Sequence, residues 1–315
     1  MSLNRRDFTA LAGAALAASA LPRASRAASA LPEMPAGAID CHNHVMGSLA
    51  KYPYTAERTY TPPEATVAQL RALRTQVHTA RNVLVTPSVY GTDNRCMVDA
   101  LAELQGTARG IAVLPLDVSD AELKRLDAAG VRGIRIAQGG TGRYDSKTAP
   151  AALNAFAPRF APLGWNIEVV GNLDAIAAMF PAMADLKVPV VLDHFAGANG
   201  GAGVSQDGFA KLLDLLKSGN VYVKLSAPYN RSKTKDWSDM LPLAHALVAA
   251  RPDRMLWGTN WPHPDQIPGR PISEITPYHK VDNPDLLRVL AEWVPDAATR
   301  KMILVDTPQR LYRFS

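Results

Sequence analysis

Short apolar runs rich in β-branched residues recur along the chain, with room for a helix between most of them. They occupy residues 38–40, 82–86, 110–114, 133–136, 166–170, 188–192, 221–225 and 254–257. Hydrophobicity inside each run is continuous rather than alternating, as in strands buried on both faces of a parallel sheet. The intervening segments read as helices. Pro62-Pro63-Glu64 opens one that reaches about Gln76, and Asp93-Asn94 precedes another ending near Gly106. Ser119-Asp120-Ala121-Glu122 is a capping-box pattern closed by Gly130, and residues 206–217 stop at Ser218-Gly219-Asn220. Eight buried strands alternating with helices predict an α/β fold, a single (β/α)8 TIM barrel. A doubly wound open sheet is the alternative, but no G-x-G-x-x-G follows the first strand. The glycine clusters at Gly139-Gly140 and 197–203 read as loops rather than phosphate cradles, because neither leads promptly into a strong helix.

The chain before the first strand has a different character. Asn4-Arg5-Arg6-Asp7-Phe8, a run of small and apolar residues from Ala10 to Leu21, and Ala28-Ser29-Ala30 form a charged head, an apolar centre and an A-x-A cleavage site. Residues 1–30 are therefore expected to be an export signal, and the paired arginines ahead of Phe8 favour the twin-arginine route. An apolar run of about a dozen residues is short for a membrane span, which needs roughly 20. The expectation is a protein folded in the cytoplasm, passed to the twin-arginine export machinery and released into the periplasm. Residues 31–315 would form the catalytic barrel, with no membrane attachment once the signal is removed. Four basic residues (Arg5, Arg6, Arg23, Arg26) and Asp7 lie in the signal, so it carries three of the five formal positive charges. No Lys/Arg stripe interleaved with aromatics remains, which excludes a nucleic-acid partner. With only Cys41 and Cys96, no disulfide scaffold is implied.

Candidate chemistry gathers where the strands end, the face on which barrel active sites are built. The first strand runs out in Asp40-Cys41-His42-Asn43-His44, and residues i and i+2 of an extended chain point to one face. Such a histidine pair suits a divalent metal or a polarised carbonyl oxygen. The second strand ends in Ser88 and Tyr90, the fourth in Arg135, the sixth in Asp193-His194, the seventh in Lys224 and Ser226, and the eighth in Thr259-Asn260 followed by His263. Asp193 reads as a hydrogen-bonding carboxylate beneath the site. Lys224 divides evenly between the mouth and the outer face of its strand, because adjacent positions alternate. His263 reads as a loop stabiliser, and His78, His245 and His279 as residues away from the mouth.

Several linked patterns extend this constellation: Gly37-Ala38-Ile39 leading into the histidine pair, Tyr52-Pro53-Tyr54, Tyr60-Thr61-Pro62, Gly91-Thr92-Asp93-Asn94, Gly130-Val131-Arg132-Gly133-Ile134-Arg135, Leu192-Asp193-His194, Trp257-Gly258-Thr259-Asn260-Trp261-Pro262-His263-Pro264 and Asp306-Thr307-Pro308-Gln309-Arg310-Leu311-Tyr312. On these residues the chain resembles the amidohydrolase superfamily, in the branch containing 2-pyrone-4,6-dicarboxylate lactonase. The resemblance runs from Gly37 to about Tyr312. It implies a lactone-cleaving barrel that works without a bound metal or other cofactor on a small lactone or carboxylate substrate. His42, His44 and His194 would polarise the ester carbonyl, and a carboxylate on the eighth strand would act as general base. Tyr60, Ser88 and Arg135 match positions that hold substrate carboxylates. Tyr90 stands where that lactonase has a histidine.

Two departures bear on the chemistry. The eighth strand carries Asn260 where the resemblance implies Asp, and an amide cannot take a proton from water as a carboxylate does. Expected substrate-binding arginines are also missing: Gly197 stands in one such place, Ala137-Gln138-Gly139-Gly140-Thr141-Gly142 follows Arg135, and Arg231 is one position out of step. With fewer bidentate partners the substrate should be less anionic than a planar dicarboxylate. Four readings follow: a metal-independent lactone hydrolase in the lead, a lactone isomerase of the galactarolactone type that Asn260 suggests, a hydrolase holding Zn²⁺ on His42, His44 and His194, and a non-catalytic binding protein. Against zinc, the chain lacks a bridging lysine at the fourth strand and an aspartate at the eighth.

Overall fold

The computed structural model describes residues 30–137 and 148–315. The expected export signal, apart from Ala30, and the Gly139-Gly140 loop lie outside the described residues. Eight strands form: β1 (Ile39–Asn43), β2 (Arg81–Val85), β3 (Ala108–Ala112), β4 (Val131–Ala137), β5 (Asn166–Val170), β6 (Val190–Leu192), β7 (Val221–Ser226) and β8 (Met255–Gly258). Each pairs in parallel with the next, in sequence order. Just past β8 the chain returns to β1. Asn260 N donates to His42 O at 2.9 Å, His44 N donates to Trp261 O at 2.8 Å, and Asn43 pairs with Trp261. These contacts close the barrel. Gly258 permits the approach, since a Cβ there would lie 2.7 Å from His42 N.

Helices α1 (Val67–Val77), α2 (Arg95–Glu103), α3 (Asp120–Ala128), α4 (Ala149–Phe160), α5 (Leu173–Ala177), α6 (Phe180–Ala184), α7 (Phe209–Ser218), α8 (Leu241–Ala250), α9 (Asn283–Trp293), α10 (Ala297–Lys301) and α11 (Thr307–Leu311) connect and follow the strands. The first starts later than Pro62-Pro63-Glu64 suggests. Thr66 is its true cap: Thr66 Oγ1 accepts from Gln69 N and Gln69 Oε1 accepts from Thr66 N. The residues before it are not helical, with Ala65 bridging Met46. No helix among the described residues is long and apolar enough to cross a membrane.

The continuous hydrophobicity of the strands now has its reason. Leu84, Ile134, Ile136, Ile167, Val169, Leu192, Val223 and Leu225 pack outward in the core shared with the helices. Ile39, Cys41, Val83, Val85, Ile111, Val191, Tyr222 and Leu256 fill the interior instead. Leu311, Tyr312 and Phe314 from the end of the chain join this inner cluster and complete its packing. Each such aliphatic side chain contributes about 1.5–3 kcal/mol on full burial. The interior above that layer is polar, and it holds the site.

Candidate active site

A bulge in β1 aims the two histidines. Asp40 pairs with Asn82 and Asn43 with Leu84, so three steps on β1 oppose two on β2. Strict alternation from Ile39 and Cys41, both interior, would send His42 and His44 outward. The extra residue lets neighbouring Cys41 and His42 both face inward, as bulges commonly re-aim side chains beside active sites. Asp40 and Asn43 turn the other way. Asp40 accepts from Thr259 N at 2.9 Å, Thr259 Oγ1 at 2.7 Å and Asn43 Nδ2 at 2.8 Å, which sews β1 to the residue after β8.

Beneath the histidines lies a buried ionic group. Lys224, fully buried, points into the barrel and not to its outer face. Its ammonium is 2.7 Å from Glu168 Oε2 and 3.3 Å from Asp193 Oδ1, and it donates to His42 Nδ1 at 3.1 Å. Burial opposes the Lys224 charge, but Asp193 and Glu168 outweigh it and its pKa is raised. Burial pushes Glu168 up to about 7 while Lys224 pulls it back. Tyr312, from the opposite end of the barrel, donates to Glu168 Oε1 at 3.0 Å. Burial also opposes the Asp193 charge, yet Lys224 and Arg135 hold its carboxyl well below the usual range. Asp193 Oδ1 stands 3.4 Å from His42 Nδ1 without hydrogen-bond geometry. Lys224 is therefore the partner of that nitrogen. Since Nδ1 accepts, the hydrogen of neutral His42 sits on Nε2, a buried atom with no partner among the described residues.

The other two histidines differ. His44 Nδ1 lies 2.7 Å from Val85 O, and a carbonyl can only accept, so His44 carries its hydrogen on Nδ1 and presents a lone pair at Nε2. Of the three histidines expected to polarise the carbonyl, neutral His44 therefore offers an acceptor at Nε2 and not a donor. His194 Nδ1 meets Ser226 Oγ at 2.8 Å, a hydroxyl that can serve either tautomer. The His42 ring is 5.0 Å from that of His44 and 4.7 Å from that of His194. Burial first, and then Arg135, lowers His44 and His194 to about 3 each. Burial and Lys224 lower His42 well below its ordinary value. All three are neutral imidazoles at physiological pH.

Arg135 sits at the rim with its side chain 11% exposed and Nε 3.2 Å from Asp193 Oδ2. Ser88 is half-buried and opens a short turn after β2. Tyr60 is buried beside the Thr61–Ile275 bridge. Tyr90, a candidate substrate contact at the end of the second strand, packs its ring against Tyr54 and accepts at its hydroxyl from Gly47 N at 3.0 Å, which ties it to the loop after β1. Gly197 shows why no arginine follows His194. Its φ is +75°, and a Cβ there would lie 2.3 Å from Gly171 O, so only glycine fits. Arg231 spends its terminal nitrogens on Asn172 Oδ1 and Gly171 O.

Asn260 adopts the left-handed region at φ 62°. Its Nδ2 donates to Tyr229 Oη at 2.9 Å, and its Oδ1 is buried without a partner among the described residues. His263, read from sequence as a loop stabiliser, and His279, read as lying away from the mouth, lie behind it. His263 is buried and its Nδ1 is 3.0 Å from Tyr229 Oη, while the His279 ring is 5.0 Å from the Tyr229 ring.

Among the described residues, His42, Asp193 and His194 bring potential metal-binding atoms within 4.8 Å of one another. His44, part of the expected zinc set, is not in that group. The cluster does not fit a divalent cation as it stands. Lys224 already lies against two of its three members, and Arg135 occupies the second oxygen of Asp193. A metal would add two positive charges to a carboxylate that is already compensated.

A family model described as amidohydrolase matches residues 39–314. The 2-pyrone-4,6-dicarboxylate hydrolase of Comamonas testosteroni is 36% identical over 290 residues, covering 89% of this chain and 91% of its own. The D-galactarolactone isomerase of Agrobacterium fabrum is 26% identical over 285 residues, covering 89% and 92%. A solved structure from Pseudomonas putida, described as a 2-pyrone-4,6-dicarboxylic acid hydrolase, matches with a TM-score of 0.76 at 28% identity, covering 90% of this chain and 99% of its own.

Proposed function

The chain belongs to the amidohydrolase family, and from that premise we propose that it hydrolyses the ester bond of a carboxylate-bearing lactone without a metal ion. The observation that carries the reading is His42 Nε2, a buried N–H with no partner among the described residues, held in that tautomer by the Lys224 ammonium on the other edge of the ring. It is a donor waiting for a carbonyl oxygen. One such preorganised donor is typically worth about 3 kcal/mol to the transition state.

Arg135, braced by Asp193, takes the substrate carboxylate, with Tyr60 and Ser88 as its further partners. The lactone carbonyl lies on His42 Nε2–H, next to His194. Water adds to the carbonyl carbon, the ring C–O bond breaks, and the proton taken from water ends on the released ring oxygen. His44 Nε2 is the lone pair that receives the proton in transit. Its basicity is suppressed by burial and by Arg135, so a carboxylate that neutralises Arg135 restores part of it. Substrate binding thereby activates the base. Asn260 Oδ1 accepts a hydrogen bond from the attacking water and holds it in line. From residues 1–30 of the sequence we also propose that the enzyme reaches the periplasm through the twin-arginine machinery.

A second reading, lactone isomerisation, is favoured by Asn260 itself. An amide oxygen can hold a substrate hydroxyl where water would stand, and attack by that hydroxyl moves the ring without net hydrolysis. A panel of aldonic, uronic and aromatic lactones assayed by pH-stat, with His194→Ala as control, tests the proposal. Acid release that the variant loses supports it. No turnover of any lactone, or undiminished turnover in the variant, sinks it. Ring migration seen by NMR without open-chain acid selects the isomerase.

A further inference from the structure

Behind Asn260 the polar contacts form a directional chain. His263 Nε2 is 2.9 Å from Asn283 Oδ1, and Asn283 Nδ2 points at Gln76 Oε1 at 3.5 Å, which leaves Oδ1 as the atom facing the imidazole. An amide oxygen can only accept, so His263 carries its hydrogen on Nε2 and its Nδ1 is a lone pair. Tyr229 must then donate its hydroxyl hydrogen to Nδ1 at 3.0 Å. With that hydrogen spent, Tyr229 Oη faces Asn260 as an acceptor and takes the Nδ2 hydrogen at 2.9 Å. The remaining atom of the amide, Oδ1, is buried and has no partner among the described residues. Three residues contributed by the loop after β7, the loop after β8 and the start of α9 thus decide which end of a nearly symmetric side chain faces the site.

We propose that Asn283, His263 and Tyr229 are positioning residues that lock the Asn260 amide with its oxygen toward the substrate, making this position an obligatory acceptor for an O–H group. The proposal deepens the lactone-opening reading: the group it selects is the attacking water or a substrate hydroxyl, and an ester or ether oxygen is rejected there. Its logic depends on direction. Remove the acceptor at position 283, and His263 gains by carrying its hydrogen on Nδ1. Tyr229 then accepts from His263, donates to Asn260 Oδ1, and the amide turns over to face the site with Nδ2. A buried donor now meets the water or hydroxyl hydrogen, and the site loses its acceptor. The backbone supports the arrangement, since Asn260 and His263 hold left-handed φ values of 62° and 70° and are joined by the bond from His263 N to Asn260 O at 2.8 Å. The Tyr229 ring lies edge-on to His263 at 5.5 Å.

The experiment is nitrogen-15 NMR of histidine-labelled protein, paired with steady-state kinetics on whichever lactone the panel identifies. Wild type and Asn283→Asp, which keeps an acceptor, are expected to show His263 protonated at Nε2 only. Asn283→Leu is expected to move the hydrogen to Nδ1 and to lower kcat about tenfold, near 1.4 kcal/mol, with KM changed less than twofold. Asn283→Asp should stay within about twofold of wild type, a rescue that a merely structural role would not give. Tyr229→Phe should lower kcat similarly while His263 keeps its tautomer. A wild-type spectrum with the hydrogen on Nδ1 overturns the proposal, as does Asn283→Leu with unchanged tautomer and kcat. Should that variant not fold, the wild-type spectrum and Tyr229→Phe decide. The spectra need no substrate, so they judge the chain of contacts even if no lactone is turned over.

Discussion

The ammonium of Lys224 donates to Nδ1 of His42 across 3.1 Å, and this contact determines what the imidazole offers the substrate. An acceptor on that edge, such as Asp193 in hydrogen-bonding geometry, would put the hydrogen on Nδ1 and leave Nε2 as a lone pair, a ligand for a cation. The lysine does the opposite and makes Nε2 a donor. In the proposed mechanism, the choice between a metal-binding and a carbonyl-polarising imidazole thus falls to a residue that need not touch the substrate.

Replacing Lys224 tests this directly. Lys224→Met leaves Glu168 and Asp193 buried without their cation, which should destabilise the fold by about 3–5 kcal/mol. In protein that remains folded, kcat should fall on the order of a hundredfold. Glu168→Gln keeps the lysine and should lose much less of either. Chemical denaturation and steady-state kinetics on the two variants are the check. Equal losses would detach Lys224 from His42.

Chelation should leave the enzyme as it was. Dialysis against a strong chelator is expected to change neither activity nor thermal midpoint, and elemental analysis of purified protein should find less than about one-tenth equivalent of zinc, far from the one-to-one loading of a catalytic site. Activity lost to chelation and restored by Zn²⁺ would contradict the reading of His42, Asp193 and His194 as a charge-compensated group.

Acid should destabilise the protein through its buried histidines, with Glu168, raised to about 7 by burial, offsetting part of the loss as it takes up its proton in the same range. His44 and His194 are lowered to about 3 and His263 to about 4, in each case chiefly by burial, against about 6.5 in the unfolded chain. Between these values the unfolded chain binds more protons, so stability is fully present above about pH 6.5 and is lost as pH falls toward the folded values. The urea midpoint should drop from about pH 7.5 to about pH 5, and His194→Gln should flatten the dependence. Identical midpoints at the two pH values would mean the histidines are protonated in the fold.

Arg135 should divide its effects between binding and chemistry. Arg135→Lys keeps the charge but loses the planar fork, and is expected to raise KM about tenfold with a smaller change in kcat. Arg135→Gln removes the charge that helps hold His44 and His194 low. Its activity on the carboxylate-bearing lactone should depend less on substrate charge. A KM unchanged by either substitution would place the carboxylate elsewhere.

The barrel could be read from the sequence because parallel strands buried on both faces leave uninterrupted apolar runs, and all eight runs became strands. The direction of single side chains could not. Alternation alone left Lys224 undecided and would have turned His42 outward, since a bulge leaves no local signature in Asp40-Cys41-His42. Glu168 went unnoticed, yet it left a signal: a charge in the middle of Asn166–Val170 matches another in the middle of Val221–Leu225, and two opposite charges inside fully buried strands need each other. The missing arginine after His194 was visible. Its cause, the contact of Gly197 with Gly171 O, belongs to backbone packing. His263 looked like a loop residue because its partners Tyr229 and Asn283 lie 34 and 20 positions away.

Whether water opens a lactone on His42 Nε2–H is read from the reaction of purified, chelator-treated enzyme with the lactone panel in oxygen-18-labelled water, followed by mass spectrometry. An open-chain acid with one solvent oxygen in the new carboxylate is expected from wild type and not from His194→Ala. An unlabelled, ring-migrated lactone, or no conversion of any lactone, would contradict the proposal.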